Sequence, residues 1–281
     1  MAAEGLPVEL ACRILGVSVA GYYTWRNRPP SPRAIRHAWL TDVIAGVHQD
    51  SRQTYGARRV HAELTMGLGI VVSHGAVEML MQRAGIQGLS GRPRFRRVPH
   101  VATASDLVER QFRRDDPDRL WVTDITEHPT REGKLYCAVV LDVFSRRVVG
   151  WSIDSNQETS LVTSALGMAI ANREPADDTI IHSDQGTQFT SWAFTQRVID
   201  TNLLPSMGSV GDCYDNAMME SFWSRVQVEL FNRKRWNTRL ELATALFEYL
   251  EVFHNRQRRH SALGMMTPIE FELRHQPTTV A

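Results

Sequence analysis

"LWVTDITEHPTREGKLYCAVVLDVFSRRVVGWSID", residues 120–154, is the stretch whose reading decides the fold. It holds three runs rich in β-branched and aromatic residues: "LWVTDITEHPT", "KLYCAVVLDVFS" and "RRVVGWSID". Only short connections separate them, and "VFSRR" reads as a tight one. Strands that follow one another so closely predict an antiparallel meander. Downstream, "TSLVTSALGMAIANRE" (159–174) predicts a helix with Leu161, Ala165 and Met168 on one side. A strand "TIIHSD" (179–184), a helix "SWAFTQRVIDTN" (191–202) and a short strand "LLPSM" (203–207) come next. "DNAMMESFWSRVQVELF" (215–231) and "TRLELATALFEYLEVFHNRQ" (238–257) predict two more helices. Three strands, then alternating helices and strands, predict an α/β fold: a mixed five-stranded sheet flanked by helices.

Upstream the texture is helical. Residues 7–26 predict two short helices broken at Gly16. Residues 38–50, 55–65 and 73–86 predict three more, the last capped by Ser73 and striped by Val77, Leu80 and Met81. Short helices with Gly-containing turns resemble helix-turn-helix units, and Arg58, Arg59 and Arg83 add positive charge. An Arg-rich linker, "GRPRFRRVPH" (91–100), follows. The expected domains are a helical segment 1–40, a helix-turn-helix-like DNA-binding unit 41–90, a basic linker 91–116 and a catalytic unit 117–281.

The net charge of +1 conceals a strong asymmetry. Residues 1–114 hold 16 Arg against 8 Asp and Glu, a balance of 16 − 8 = +8; residues 115–210 hold 7 Lys and Arg against 14 acids, a balance of −7. A basic front on an acidic middle fits a polyanion partner. A hydrophobic content of 43% with 22% charged residues is that of a globular chain. No apolar run is long enough to span a membrane, and no signal peptide is legible. Cys12, Cys137 and Cys213 form no CxxC pair, which fits a reducing cytoplasm.

Three carboxylates stand out. Asp124 lies in the first strand, Asp184 ends the fourth, and Glu220 falls in the first turns of the helix 215–231. The intervals are 59 residues (125–183) and 35 residues (185–219). If the first and fourth strands are neighbours, Asp124 and Asp184 point into one space, and the helix adds Glu220. Like charges brought together raise one another's pKa at a cost in stability. Hard divalent cations relieve that cost, because they take oxygen ligands and keep positions open for water and phosphate. Two such ions, Mg²⁺ or Mn²⁺, can activate the attacking oxygen and stabilise the leaving one at phosphorus.

The segments "WVTDIT", "VVLDVFSRRVVGW", "IHSDQGTQFTS", "GDCYDNAMMESFW" and "FHNRQRRHSALGMMTPIEFE" resemble the insertion-sequence transposases with a retroviral-integrase catalytic core. More narrowly, they resemble the second-frame product (OrfB) of the IS-three group. The resemblance covers about residues 117–275, and residues 41–90 resemble the helix-turn-helix-like segment before that core. It implies an RNase H-like fold, with Asp124, Asp184 and Glu220 as the metal-binding triad. It implies double-stranded DNA, both element ends and target, as partner. It also implies a homo-oligomer on that DNA, a possible fusion to an upstream-frame product (OrfA), and a bacterial cytoplasmic, nucleoid-associated location. Relatives commonly carry a Lys seven residues after the catalytic Glu; here the position is Gln227.

Further DNA contacts are expected at Arg58, Arg59, Arg94, Arg96, Arg97, Gln227 and, in the basic turn "HNRQRRH" (254–260), at Arg256, Arg258 and Arg259. His182 is read as structural or DNA-positioning, Cys213 as packing, and Asn216 as the cap of the helix that carries Glu220. Asp142 is read as pairing with Arg146 or Arg147, and Trp121, Trp151 and Trp192 as core. No GxxxxGK[ST] is present, which argues against ATP-driven chemistry. The expected reaction is metal-dependent cleavage and strand transfer at element ends. The alternatives are an RNase H-like nuclease that does not join strands and a catalytically silent DNA-binding repressor.

Overall fold

In a computed structural model of the chain, which describes residues 7–89, 114–184, 186–207 and 217–275, the run 120–154 forms the expected meander. β1 (Leu120–Thr130) pairs antiparallel with β2 (Gly133–Asp142) from Trp121↔Asp142 to Thr130↔Gly133. β2 pairs antiparallel with β3 (Val148–Asp154), with a register shift at Val140/Leu141. β4 (Ile180–Ser183) adds in parallel on the other side of β1, and β5 (Leu204–Met207) in parallel beyond it. The order is β3-β2-β1-β4-β5, so the first and fourth strands are neighbours.

Alternation along β1 sends side chains to two buried layers. Trp121, with Ala138, Val140, Val149 and Ile181, packs under α6 (Thr159–Arg173) and α7 (Trp192–Asp200) through Leu161, Ala165, Leu166, Phe194 and Val198. Leu120 and Val122, with Leu135, Val139 and Leu141, face α8 (Ala217–Glu229) through Met219, Phe222 and Val226. α6 lies so close to β3 that a Cβ at position 150 would stand 2.3 Å from the Ala165 carbonyl oxygen. Only glycine fits at Gly150.

The front of the chain supplies α1 (Val8–Ile14), α2 (Val19–Arg26), α3 (Pro32–Asp50), α4 (Ala57–Ala62) and α5 (His74–Arg83). α3 begins six residues before the expected start at 38. Ser31 accepts the Ala34 N–H, and Pro32 sits in the first turn, where its missing donor is harmless. α5 keeps its Ser73 cap. α4 continues into a π-helical turn, Glu63–Gly67; α9 (Arg239–Phe247), capped by Thr238, continues as π-helix over Glu248–Gln257. α10 (Pro268–His275) ends the described chain.

The front helices do not stand apart from the sheet. Leu40, Ile44, Val60, Leu64 and Leu80 share one buried cluster with Val122, Leu246 and Phe253. Tyr55 Oη donates to the Gln257 carbonyl at 2.8 Å and accepts the Arg259 N–H at 2.7 Å.

Candidate active site

The register of β1 with β4 runs Leu120↔Ile180, Trp121↔Ile181 and Val122↔His182. Carried two places further, it sets Asp124 level with Asp184, where β4 ends. Asp124 shares the parity of Leu120 and Val122, so it points to the face that α8 covers. Asp184 Oδ1 accepts the Gly186 N–H at 3.0 Å, an Asx-type turn that bends the chain at the strand tip. A Cβ at 186 would stand 2.9 Å from that oxygen, which explains the glycine. Glu220 lies in the first turn of α8, and its neighbours Met219 and Phe222 anchor the helix to the sheet.

The electrostatics tie the three together. Burial pushes the Asp124 carboxyl up to about 7, and the charges of Asp184 and Glu220 add to the rise. Its own turn opposes this, since Oδ1 accepts the Ile125 N–H at 2.8 Å. The Trp223 indole also opposes it, close by but without a well-formed hydrogen bond of its own. Sequence reading does not single out Trp223; its only signal is its place one helical turn after Glu220. Among the described residues no three such donors close around a single point, so Asp184 and Glu220 each lie within repulsive range of Asp124 without the three forming a coordination shell.

The other expected residues divide. Arg58 and Arg256 are exposed. Gln227 is one face with Glu220, about 20° away at 100° per residue, and donates to Asn232 Oδ1 at 2.6 Å. Arg94, Arg96, Arg97, Cys213 and Asn216 lie outside the described residues. Arg258 and Arg259 do not fit phosphate contacts, because both are 4% exposed and spent on internal carboxylates. Arg258 grips Glu229 with two bonds of 2.7 and 2.8 Å, and Arg259 pairs with Glu63 and Glu270, each at 2.7 Å. Arg59 is turned inward as well, 3.7 Å from Glu229 and stacked over Tyr55.

One further reading is corrected and one is narrowed. Trp121 is buried and Trp151 donates to Glu251 at 2.7 Å, but Trp192 is 78% exposed at the start of α7, where the Ser191 cap leaves it outside the core. Asp142 is buried and takes its hydrogen bonds from the Asp118 N–H and from the N–H and hydroxyl of Ser145, while its charge still acts on the nearby Arg146 guanidinium. Arg147 pairs instead with Glu272 at 2.7 Å. His182 is buried, with Nδ1 3.0 Å from Ser206 Oγ, so it joins β4 to β5.

Comparison with known proteins bears on this arrangement. Residues 114–213 and 201–268 match two families described as integrase core domain, and residues 36–94 match an HTH-like domain. The transposase for insertion sequence element IS629 of Shigella sonnei is 38% identical over 93% of this chain and 90% of its own length. Transposase InsF for insertion sequence IS3A of Escherichia coli K12 is 34% identical over 94% and 93%. The chain belongs to the insertion-sequence transposases with an integrase core. As a member of that family it is a polynucleotidyl transferase of DNA transposition. Among solved structures, the simian T-cell lymphotropic virus intasome overlaps 85% of this transposase at 14% identity, with a TM-score of 0.46. At that score the likeness adds nothing to the sheet order. No described helix is long and apolar enough to cross a membrane.

Proposed function

We propose that Asp124, Asp184 and Glu220 together hold two divalent cations, Mg²⁺ or Mn²⁺, and that this site cuts an element end and joins the freed 3′-OH to a second phosphodiester. The supporting observation is the β1–β4 register, which brings Asp184 at the tip of β4 level with Asp124 on the neighbouring β1, with Asp124 already short of charge stabilisation. The donor set fits: all three are hard oxygen ligands, and neither His nor Cys is present to favour zinc. Bound there, the cations would supply Lewis-acid activation of the attacking oxygen and stabilisation of the leaving one. The protein's part is placement. β1 fixes Asp124 on a paired strand, the turn at Gly186 fixes Asp184, and α8 brings Glu220 from above the sheet. One phosphodiester replaces another in the joining step, so no nucleotide cofactor is needed. Double-stranded DNA, as ends and target, is the substrate on this reading; an oligomer on DNA and an OrfA fusion partner are compatible with it. A strand-transfer assay on end-sequence duplexes tests it, with cleavage but no joining favouring the simple nuclease.

Asp124→Asn tests the electrostatics without DNA. The folded carboxyl titrates near 7, while an unfolded Asp titrates near ~3.9. The folded state therefore binds the extra proton between those values, and stability falls as pH rises through that window. Metal-free Asp124→Asn should escape the fall. It should match the wild type near pH 4 and exceed it at pH 8, by at most roughly 4 kcal/mol at ~1.4 kcal/mol per tenfold. Thermal melts in EDTA at a series of pH values check this; parallel curves would place Asp124 outside the repelling group.

Gln227 is proposed to face the DNA backbone from the same side of α8 as Glu220. Gln227→Lys should tighten duplex binding and steepen its salt dependence by about one phosphate contact. An unchanged slope in polarisation titrations would turn Gln227 into a partner of Asn232 alone.

A further inference from the structure

We propose that residues 7–28 form a second helix-turn-helix unit, upstream of the matched HTH-like domain, that lays α2 in the major groove of duplex DNA. The inference rests on the DNA-acting reading above but not on the carboxylate site. α1 and α2 are joined by four residues, Leu15–Ser18, with Gly16 in the left-handed region at φ 65°. A short Gly-containing connection between two short helices is the hallmark of this motif. The Val17 N–H closes onto the Cys12 carbonyl at 3.0 Å, and Ser18 caps α2 by accepting the Gly21 N–H at 3.0 Å. Cys12 is buried in α1, and Tyr22 is half-buried in α2.

Every other residue of α2 is exposed. An isolated helix of eight residues is marginal in water, so one left this bare is built to meet something. The face opposite Tyr22 carries Ala20 and Thr24, each about 160° away at 100° per residue, small side chains that let the helix axis approach a groove floor. At 1.5 Å per residue α2 is ~12 Å long, about the width of the major groove. The charge specifies the occupant. Arg13, Arg26 and Arg28 are exposed and make no ion pair among the described residues, and Glu9 is the single acid of residues 7–28. Cations at the ends of both helices suit phosphates on either side of a groove. A second copy of this chain, itself basic here, would repel them. The exposed Ile14 and Trp25 make that copy the competing occupant.

The test uses the full chain and a labelled 30-base-pair duplex of mixed sequence, titrated across a range of salt. Arg13→Ala, Arg26→Ala and Arg28→Ala combined should weaken binding several-fold at moderate salt and flatten the log–log salt slope by about 2–3, at ~0.9 per phosphate. The melting temperature and its increase with Mn²⁺ should be unchanged, which separates this failure from failure of the carboxylate site. Thr24→Ala should alter the sequences recovered from a random duplex pool. An unchanged salt slope in the triple variant overturns the proposal. So does Trp25→Ala shifting a self-associated protein to monomer in sedimentation while the slope stays as in the wild type.

Discussion

Glu220→Gln should abolish strand cleavage and joining, by several orders of magnitude, while the protein folds as well as the wild type. The substitution keeps the volume and removes one of the two charges that repel Asp124. Metal-free protein should therefore melt at the same temperature or slightly higher. The rise in melting temperature on adding Mn²⁺ should shrink, since less differential binding to the native state remains. Binding to duplex DNA should survive, because this carboxylate repels phosphate on its own. A Glu that merely holds the helix would behave in the opposite way, costing ~0.5–1 kcal/mol and leaving the chemistry intact. Melts with and without Mn²⁺, run beside a strand-transfer assay, tell the two apart. A variant that is less stable yet still joins strands would remove Glu220 from the site.

The second large effect lies away from the chemistry. Arg258→Met should destabilise the protein by ~3–5 kcal/mol, the usual cost of stranding one member of a buried ion pair. Burial pushes the Glu229 carboxyl up, and the paired bonds from Arg258 more than reverse that. With Arg258 gone, Glu229 keeps Tyr249 at 2.9 Å and the more distant Arg59. Combining Arg258→Met with Glu229→Met should recover much of the loss, because well-packed apolar replacements of whole buried pairs are often neutral. Denaturant unfolding of the two variants checks this. Lost DNA affinity with unaltered stability would restore Arg258 as a phosphate contact.

These arginines show where sequence reading stops. "HNRQRRH" looks like an exposed basic turn, yet Arg258 meets Glu229 29 residues away and Arg259 meets Glu63 196 residues away. Neither partner can be found from local pattern, because the packing of α8 decides the first and the docking of the front helices decides the second. Trp192 fails for a more local reason: the serine before it caps α7 and leaves the ring at an open helix start. The π-helical winding of Glu248–Gln257 is likewise invisible to a period of 3.6. What was legible rests on periods and spacing. The meander follows from three close-set β-branched runs. The adjacency of β1 and β4, posed as a condition by the carboxylate spacing, is met in the sheet, and α8 carries Glu220 across the matching face.

The β1–β4 register also explains why a carboxylate can sit at a strand tip before a glycine. Asp184 bends its own chain through Gly186 and is held level with Asp124. The central claim is that these two, with Glu220, are ligands. It is met most directly by locating manganese through its anomalous scattering in crystals grown with Mn²⁺. The account predicts a peak between Asp124 and Asp184, with carboxylate oxygens at roughly 2.0–2.2 Å, near the spacing hard divalent cations adopt, and Glu220 drawn in beside a second. Manganese bound only elsewhere, with Asp124 still facing Trp223 and no ion, would contradict it.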